Sequence, residues 1–410
     1  MRCVKTIIFI GVNKSGSSRE AVRAAEALGY FTVVLTDRER QLEQREEYPD
    51  VHQLLLMNLN DVSELRNHIK SLQHKGHDIV AIASFVDQHV HTASVLADEF
   101  CRNCFVTDAI FVMENKEETR QFFSDHPFTP VFFLVDQDKS LSSAAFPERL
   151  TYPVMVKCPK STGSKDVIWA GNEDELKKNA EKLLDKYPED TLIVEEYVEG
   201  DQYLVEVLVH HGNVMIAAVI EQEITKGKRF IVTGYGVLAE VPDEIEEAIR
   251  EMIQSIITSL HIENGAFHLE VRHTKNGWKL IEVNPRISGG AMNKMIQAAF
   301  GYSLVEETLK MMTGEVPTLE KKTNHFVFTQ HVIVGQKGVL ERVTGKKRAL
   351  KSPGVVDVYV KPKKGTLLIP PLSMGHRYAY VIARGKTMEE AKAQAKAAAK
   401  EIQFYLKVDE

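Results

Sequence analysis

The stretch FHLEVRHTKNGWKLIEVNPRISGG, Phe267 to Gly290, sets Glu270 and Glu282 on either side of a turn and adds Asn284 two residues after the second glutamate. Phe267, Leu269 and Val271 alternate with His268, Glu270 and Arg272, and Ile281 and Val283 alternate with Glu282 and Asn284, so both segments read as half-buried strands. The turn Lys275-Asn276-Gly277 decides the register. A two-residue Asn-Gly loop pairs 275 with 278 and puts Glu270 opposite Val283. A three-residue loop with Gly277 in the left-handed position pairs 274 with 278, which sets Glu270 across from Glu282 and His268 across from Asn284. Like charges so opposed are destabilising unless something sits between them. Two carboxylates and an amide on a rigid hairpin suit a hard cation such as Mg²⁺, and a solvated acidic face is the bland alternative.

Around this hairpin lie 410 residues, 44% hydrophobic and 26% charged, with net charge −6. That length allows two or three domains with real cores. The absence of a basic segment argues against a nucleic-acid partner. No apolar run reaches ~18 residues and no leader pattern opens the chain, so the expectation is a cytoplasmic protein without membrane contact. Cys3, Cys101, Cys104 and Cys158 make no disulfide framework, and the Cys101-Arg102-Asn103-Cys104 pair lacks a second pair for zinc.

KTIIFIGVNKSGSSREAVRAAEALGYFTVVLTD reads as strand, loop, helix and strand, a βαβ unit of a parallel sheet. Gly11-x-x-x-x-Gly16-Ser17-Ser18 has serine where a phosphate loop needs lysine, and G-x-G-x-x-G is absent, so a tight turn is the expectation and a Rossmann dehydrogenase is disfavoured. After the strand DIVAIAS, Asp87 is expected to cap the following helix. Ser84, Phe85 and Asp87, at the carboxyl end of that strand, are substrate-pocket candidates. Further on, YPVMVKCPKSTGSKDVIWAG, a helix from Glu173 to Lys186 and DTLIVEEYVEGDQYLVEVLV predict an α+β lid. HFVFTQHVIV, GVVDVYVKP, RYAYVIARG and a strong helix former close the chain as an α+β cap.

Four separated features agree if the ligand is a nucleoside triphosphate. Lys157 ends an apolar strand and can reach phosphate. Ser161, Thr162, Gly163 and Ser164, followed by Lys165, offer hydroxyls, backbone N–H groups and a glycine hinge able to close over phosphates. LIVEEYVEG offers main chain for an adenine edge, and the hairpin offers metal ligands. Taken singly, Lys157 reads as a surface lysine, the loop as an ordinary hairpin loop, and Glu195 and Glu196 as solvated charges.

These motifs, above all IEVNPRISGG with its E-x-N-x-R form, resemble the ATP-grasp superfamily of carboxylate–amine ligases over nearly the whole chain. The resemblance implies an α/β and α+β architecture: a Rossmann-like domain over 1–112, an ATP-grasp domain over 113–324 with its lid near 150–210, and a C-terminal cap over 325–410. It implies that Lys116 and Lys157 bind nucleotide phosphates and that Glu195, Glu196 and Val198 form the adenine linker. It further implies that Glu270, Glu282 and Asn284 hold Mg²⁺ or Mn²⁺ and that Arg286 holds the acyl phosphate or substrate carboxylate. EGDQYLVEVLV, NPRISGG and MGHRYAYVIARG are most similar to bacterial L-amino-acid ligases, which implies ATP and two L-amino acids as reactants, a dipeptide as product and a homodimer as a common assembly. Gln202 stands where several relatives carry a ribose-binding glutamate, and Tyr235 where many carry a histidine after Gly234. Tyr235, His268, Gly289 and Gly290 join the substrate candidates. The alternatives are another ATP-grasp ligase or carboxylase and a non-catalytic nucleotide-binding module.

Overall fold

A computed structural model describes residues 3–102, 105–136, 147–148, 150–159, 165–226 and 230–407. Strands β1 (Val4–Ile10), β2 (Phe31–Thr36), β3 (Gln53–Leu56) and β4 (His77–Ala83) form a parallel sheet in the order β3-β2-β1-β4. Its strands are continuous apolar runs because both faces are covered: Ile7 and Phe9 face one cluster, Ile8 and Ile10 another. The helices Ser17–Ala27, Val62–His74 and Val90–Phe100 supply that cover.

A second, antiparallel sheet is built from β5 (Phe132–Val135), β6 (Val154–Lys157), β7 (Val167–Ala170) and β8 (Leu192–Glu196), ordered β5-β8-β6-β7. The helix Glu173–Lys186 packs Leu176, Ala180 and Leu183 onto it at helical spacing. This is the expected lid, except that β5 joins it and the strand after Gly200 does not.

The central sheet begins with β9 (Asp201–His210), β10 (Asn213–Lys226), β11 (Phe230–Val237), β12 (Gly265–Thr274) and β13 (Gly277–Asn284). The C-terminal region adds β14 (Phe326–Val332), β15 (Gly338–Thr344), β16 (Val355–Val360), β17 (Leu367–Leu368), β18 (Ala379–Gly385) and β19 (Gln403–Lys407). Eight strands are continuous in the order β13-β12-β9-β10-β11-β14-β18-β16, and β17-β15-β19 form a small sheet beside them. The expected C-terminal α+β cap joins the central sheet through the β11–β14 ladder, Val237 opposite Val327.

One face of the central sheet is apolar. Val205, Val207, Phe267, Leu269, Val271, Leu280 and Val283 pack against Ile249, Met252, Ile253, Ile256 and Ile257 of the helix Asp243–Ser259. The spacing of those helical residues is the one-sided stripe of an amphipathic helix. The other face carries Glu206, His268, Glu270, Arg272 and Glu282.

The hairpin reaches the expected alignment by a different route. Thr274 pairs with Gly277, so the loop has two residues, Lys275 and Asn276, and not three. Near the turn His273 pairs with Trp278 and Val271 with Leu280; beyond it Glu270 pairs with Glu282 and His268 with Asn284. The register shift is a bulge at Ile281. It reverses side-chain parity, so Leu280 and Val283 both enter the core while Ile281 joins Glu282 on the polar side, where the alternation predicted it to sit with Val283. No helix among the described residues is long and apolar enough to cross a membrane.

Candidate active site

The lid sheet and the polar face of the central sheet enclose a cleft of about 430 Å³. Asp87, Lys116, Lys157, Glu195, Glu196, Val198, Gln202, Tyr235, His268, Glu270, Glu282, Asn284 and Arg286 all line it, although the sequence separates them by up to two hundred positions. Ser84 and Phe85 line a smaller pocket behind Arg286 instead, and the Ser84 hydroxyl bonds within its own loop, to the Val86 carbonyl at 3.3 Å. Gly289 and Gly290 are exposed and outside both linings; Gly290 packs on Gly16, whose added Cβ would meet its nitrogen at 3.0 Å. Ser161, Thr162, Gly163, Ser164 and Cys104 lie outside the described residues.

At one end sits a buried charge network. Lys157 ends β6 of the lid sheet and bonds the Glu195 carboxylate, whose other oxygen accepts from Arg120 Nε at 3.0 Å. Glu195 is 2% exposed, so it is no solvated charge; its carboxylate points at the lysine. Burial works to raise the Glu195 carboxyl, but the Arg120 and Lys157 charges outweigh it and hold it below the ordinary range. Burial pulls Lys157 down, opposed by Glu195. Arg120 also donates from Nη2 to the carbonyl of Ile281 at 2.8 Å, so the bulge that aligns the glutamates also anchors this network. Lys116 opens the helix Lys116–Phe122, capped by Asn115, and places Nζ 3.3 Å from Glu282 Oε1.

The opposed glutamates polarise each other. Burial and the neighbouring Glu282 charge push Glu270 up to about 7. For Glu282 burial acts upward too, but Lys116 and the other positive groups bring it down to about 2. Such a pair has room for one proton or a cation. The donor set fits Mg²⁺: two carboxylates and the Asn284 amide are all oxygen ligands, and Mg²⁺ takes its remaining positions from phosphates and water. Gln202 holds Glu270 in place, donating from Nε2 to Oε2 at 3.2 Å while its own oxygen accepts from Arg272 Nε at 2.9 Å. Arg272 also bonds the Val198 carbonyl and lies over the Tyr197 ring, at 5.5 Å from its centroid, which ties the linker to the sheet. Glu196 turns its carboxylate away to the Val131 N–H at 2.9 Å.

At the other end, Asp87 does not cap its helix; its carboxylate binds Arg286, with Nε at 2.5 Å. An arginine across the cleft is a stronger partner than a backbone N–H, which is why the expected cap is lost. Glu114 lies nearby, pushed up to about 7 by burial and by Asp87. His268 is brought down to about 4 by burial and the Arg286 charge, so the ring is neutral. Its Nδ1 lies 2.8 Å from the Arg286 carbonyl, which only accepts; Nδ1 therefore carries the proton and Nε2 remains an acceptor. From the C-terminal region, Arg377 donates to the Val232 carbonyl at 3.0 Å and to the Tyr235 hydroxyl at 3.1 Å.

Arg120, Glu114, Arg377 and Glu206 escaped the sequence reading. Arg120 stands one helical turn from Lys116, a spacing that puts both on one face. Glu206 interrupts the apolar run YLVEVLV at the parity of Gln202, which was the legible signal.

The ATP-grasp domain profile matches residues 150–294, which hold Lys157, the linker and the hairpin. Residues 150–294 thus form an ATP-grasp domain. Residues 330–407 match the profile of L-amino acid ligase C-terminal domain 2, so the strands that extend the ATP-grasp sheet belong to a recognised unit. The fold is similar to the crystal structure of L-amino acid ligase from Bacillus licheniformis, with TM-score 0.82 and 18% identity over 100% of both chains. It is also similar to phosphoribosylglycinamide synthetase from Anaerococcus prevotii, with TM-score 0.75 and 18% identity over 98% of this chain and 100% of that one. Among curated relatives, the L-arginine-specific L-amino acid ligase of Bacillus subtilis is 21% identical over 251 residues, 58% of each chain. The chain spans about half the length of the curated relatives it matches.

Proposed function

We propose that the protein is an ATP-dependent, ADP-forming ligase that joins two L-amino acids into a dipeptide through an aminoacyl phosphate. One observation carries this reading: a single cleft holds two lysines and a facing pair of glutamates at one end, and an arginine beside two further carboxylates at the other. The first end suits a triphosphate and the second suits a zwitterion. The similarity to L-amino acid ligases in fold and in the C-terminal unit supports the choice of substrates.

In the first half-reaction the carboxylate of one amino acid attacks the γ-phosphorus of ATP and ADP leaves. Lys116 and Lys157 face the phosphates, where they neutralise charge gathering on the transferring oxygens. Glu195 and Arg120 fix Lys157, so its ammonium needs no reorganisation during the step. Glu270, Glu282 and Asn284 would hold Mg²⁺, which supplies Lewis-acid charge stabilisation when bound. In the second half-reaction the amine of the other amino acid attacks the acyl carbon and phosphate leaves. Arg286 donates hydrogen bonds to the oxygens of the acyl phosphate, and Asp87 and Glu114 accept from a substrate ammonium. We place this ATP-dependent reaction in the cytoplasm.

Phosphate release with Mg²⁺-ATP, read against L-amino acids singly and in pairs, tests the reading. Release that depends on a pair, and that Glu282→Gln abolishes with the circular-dichroism spectrum unchanged, is the expected result. Release with one amino acid and an amine that is not an amino acid would favour a different carboxylate–amine ligase. Release unchanged in Glu282→Gln would remove the metal assignment.

A further inference from the structure

Among the described residues Glu206 is the one ionisable side chain with no exposure at all. It sits on the polar face of β9, in register with His268 on β12, which is in register with Asn284 on β13. No lysine or arginine forms an ion pair with it among the described residues. Its partners are instead in the segment that follows the hairpin: both carboxylate oxygens accept from the Ser288 N–H at 3.2 Å, and one accepts from the Ser288 hydroxyl. Ser288 in turn offers its carbonyl to the Ser17 hydroxyl at 2.5 Å, where the first helix begins. Gly16, just before it, touches Gly290 so closely that a Cβ would stand 3.0 Å from the Gly290 nitrogen. Two residues before Ser288, Arg286 gives its carbonyl to His268 and its guanidinium to Asp87.

Segment 285–290 is thus gripped from the sheet by Glu206 and from the parallel sheet's loops by Gly16, Ser17 and Asp87. A single acceptor atom would satisfy the serine N–H alone; a carboxyl group engages both the N–H and the hydroxyl of one residue. Such a grip fixes a backbone, and the side chain whose direction that backbone sets is Arg286.

We propose that Glu206 is a positioning residue for the ligase reaction, holding Ser288 so that the Arg286 guanidinium meets the carboxylate of the first amino acid. It rests on the ligase reading of the cleft. Glu206 acts through the 286–288 backbone and touches no reactant. Its loss displaces the arginine while leaving Lys116, Lys157 and the nucleotide end in place.

The test uses the full chain with Mg²⁺-ATP and an amino-acid pair that supports phosphate release. Glu206→Gln keeps the volume but leaves one acceptor oxygen where two accept from the Ser288 N–H. A drop of about 10- to 100-fold in kcat/KM for the activated amino acid is expected, the scale of an ångström of misplacement, with KM for ATP within about twofold. Ser288→Ala is expected to move the same way by a smaller factor, and the double variant to be no worse than Glu206→Gln alone. Unchanged kcat/KM in a folded Glu206→Gln, or equal losses toward ATP and amino acid, overturns the proposal. If Glu206→Gln does not fold, Ser288→Ala decides: a lowered Tm with wild-type kcat/KM overturns it. Wild-type protein that releases no phosphate with any pair overturns the ligase reading and the role of Glu206 with it.

Discussion

Glu195 shows how a single residue holds the lysine end of the cleft together. It lies between Lys157 and Arg120 with almost no exposure, so removing its carboxylate leaves two buried cations without a counter-charge. Breaking a buried pair from one side costs about 3–5 kcal/mol, and Glu195→Ala is expected to lose that much in urea unfolding. Glu206 bears on pH. Burial pushes its carboxyl up to about 7 from an ordinary 4.5, so the folded protein holds a proton that the unfolded chain releases. Its contribution to stability is full below pH 4.5 and is lost as pH rises through 7, a change of roughly 3 kcal/mol. Urea midpoints across that window should fall less steeply in Glu206→Gln than in the wild type. Both carboxylates were visible in the sequence, but Glu195 read as solvated when taken alone and as part of the adenine linker by resemblance, and Glu206 drew no reading. Their partners, Arg120 and Ser288, stand 75 and 82 positions away.

At the scale of elements, the hairpin shows why a right alignment need not come from the right cause. The alternation of Phe267 to Val271 and the presence of a turn were legible. The bulge at Ile281 was not, because no glycine or proline marks it; what stabilises it is the Arg120 guanidinium on its carbonyl, a contact from another element. The turn before β9 is the opposite case, fixed by local geometry. Gly200 has φ +155°, and a Cβ there would lie 1.9 Å from the His273 carbonyl oxygen. Gly200→Ala must push β9 away from the β12 end, and with it Gln202 and Arg272. A fall of several degrees in Tm is expected, together with a raised KM for ATP, since the linker residues Tyr197 and Val198 lean on Arg272. A Tm equal to wild type would show that the turn has room the geometry denies it.

On the scale of the whole molecule, the βαβ opening, the lid and the glutamate hairpin could each be read from local pattern, and together they pointed to the ATP-grasp fold. What stayed hidden was the assembly of the Arg286 end of the cleft. Asp87 comes from the loop after β4, Arg286 from the end of the hairpin, and Tyr235 meets Arg377 across the β11–β14 ladder. Local signals even misdirected there, since an acidic residue before a helix reads as a cap until an arginine from 199 positions away claims it. The C-terminal cap was legible as a unit, but not its pairing with β11, a strand that precedes it by almost ninety residues.

All three scales meet in one claim, that the cleft activates a carboxylate by phosphorylating it. The measurement that reaches it most directly is isotope transfer. With an active amino-acid pair whose first member carries ¹⁸O in its carboxylate, the account predicts one ¹⁸O in the released phosphate for each dipeptide formed, alongside one ADP. Phosphate free of label, or label retained in full by the product, would contradict it.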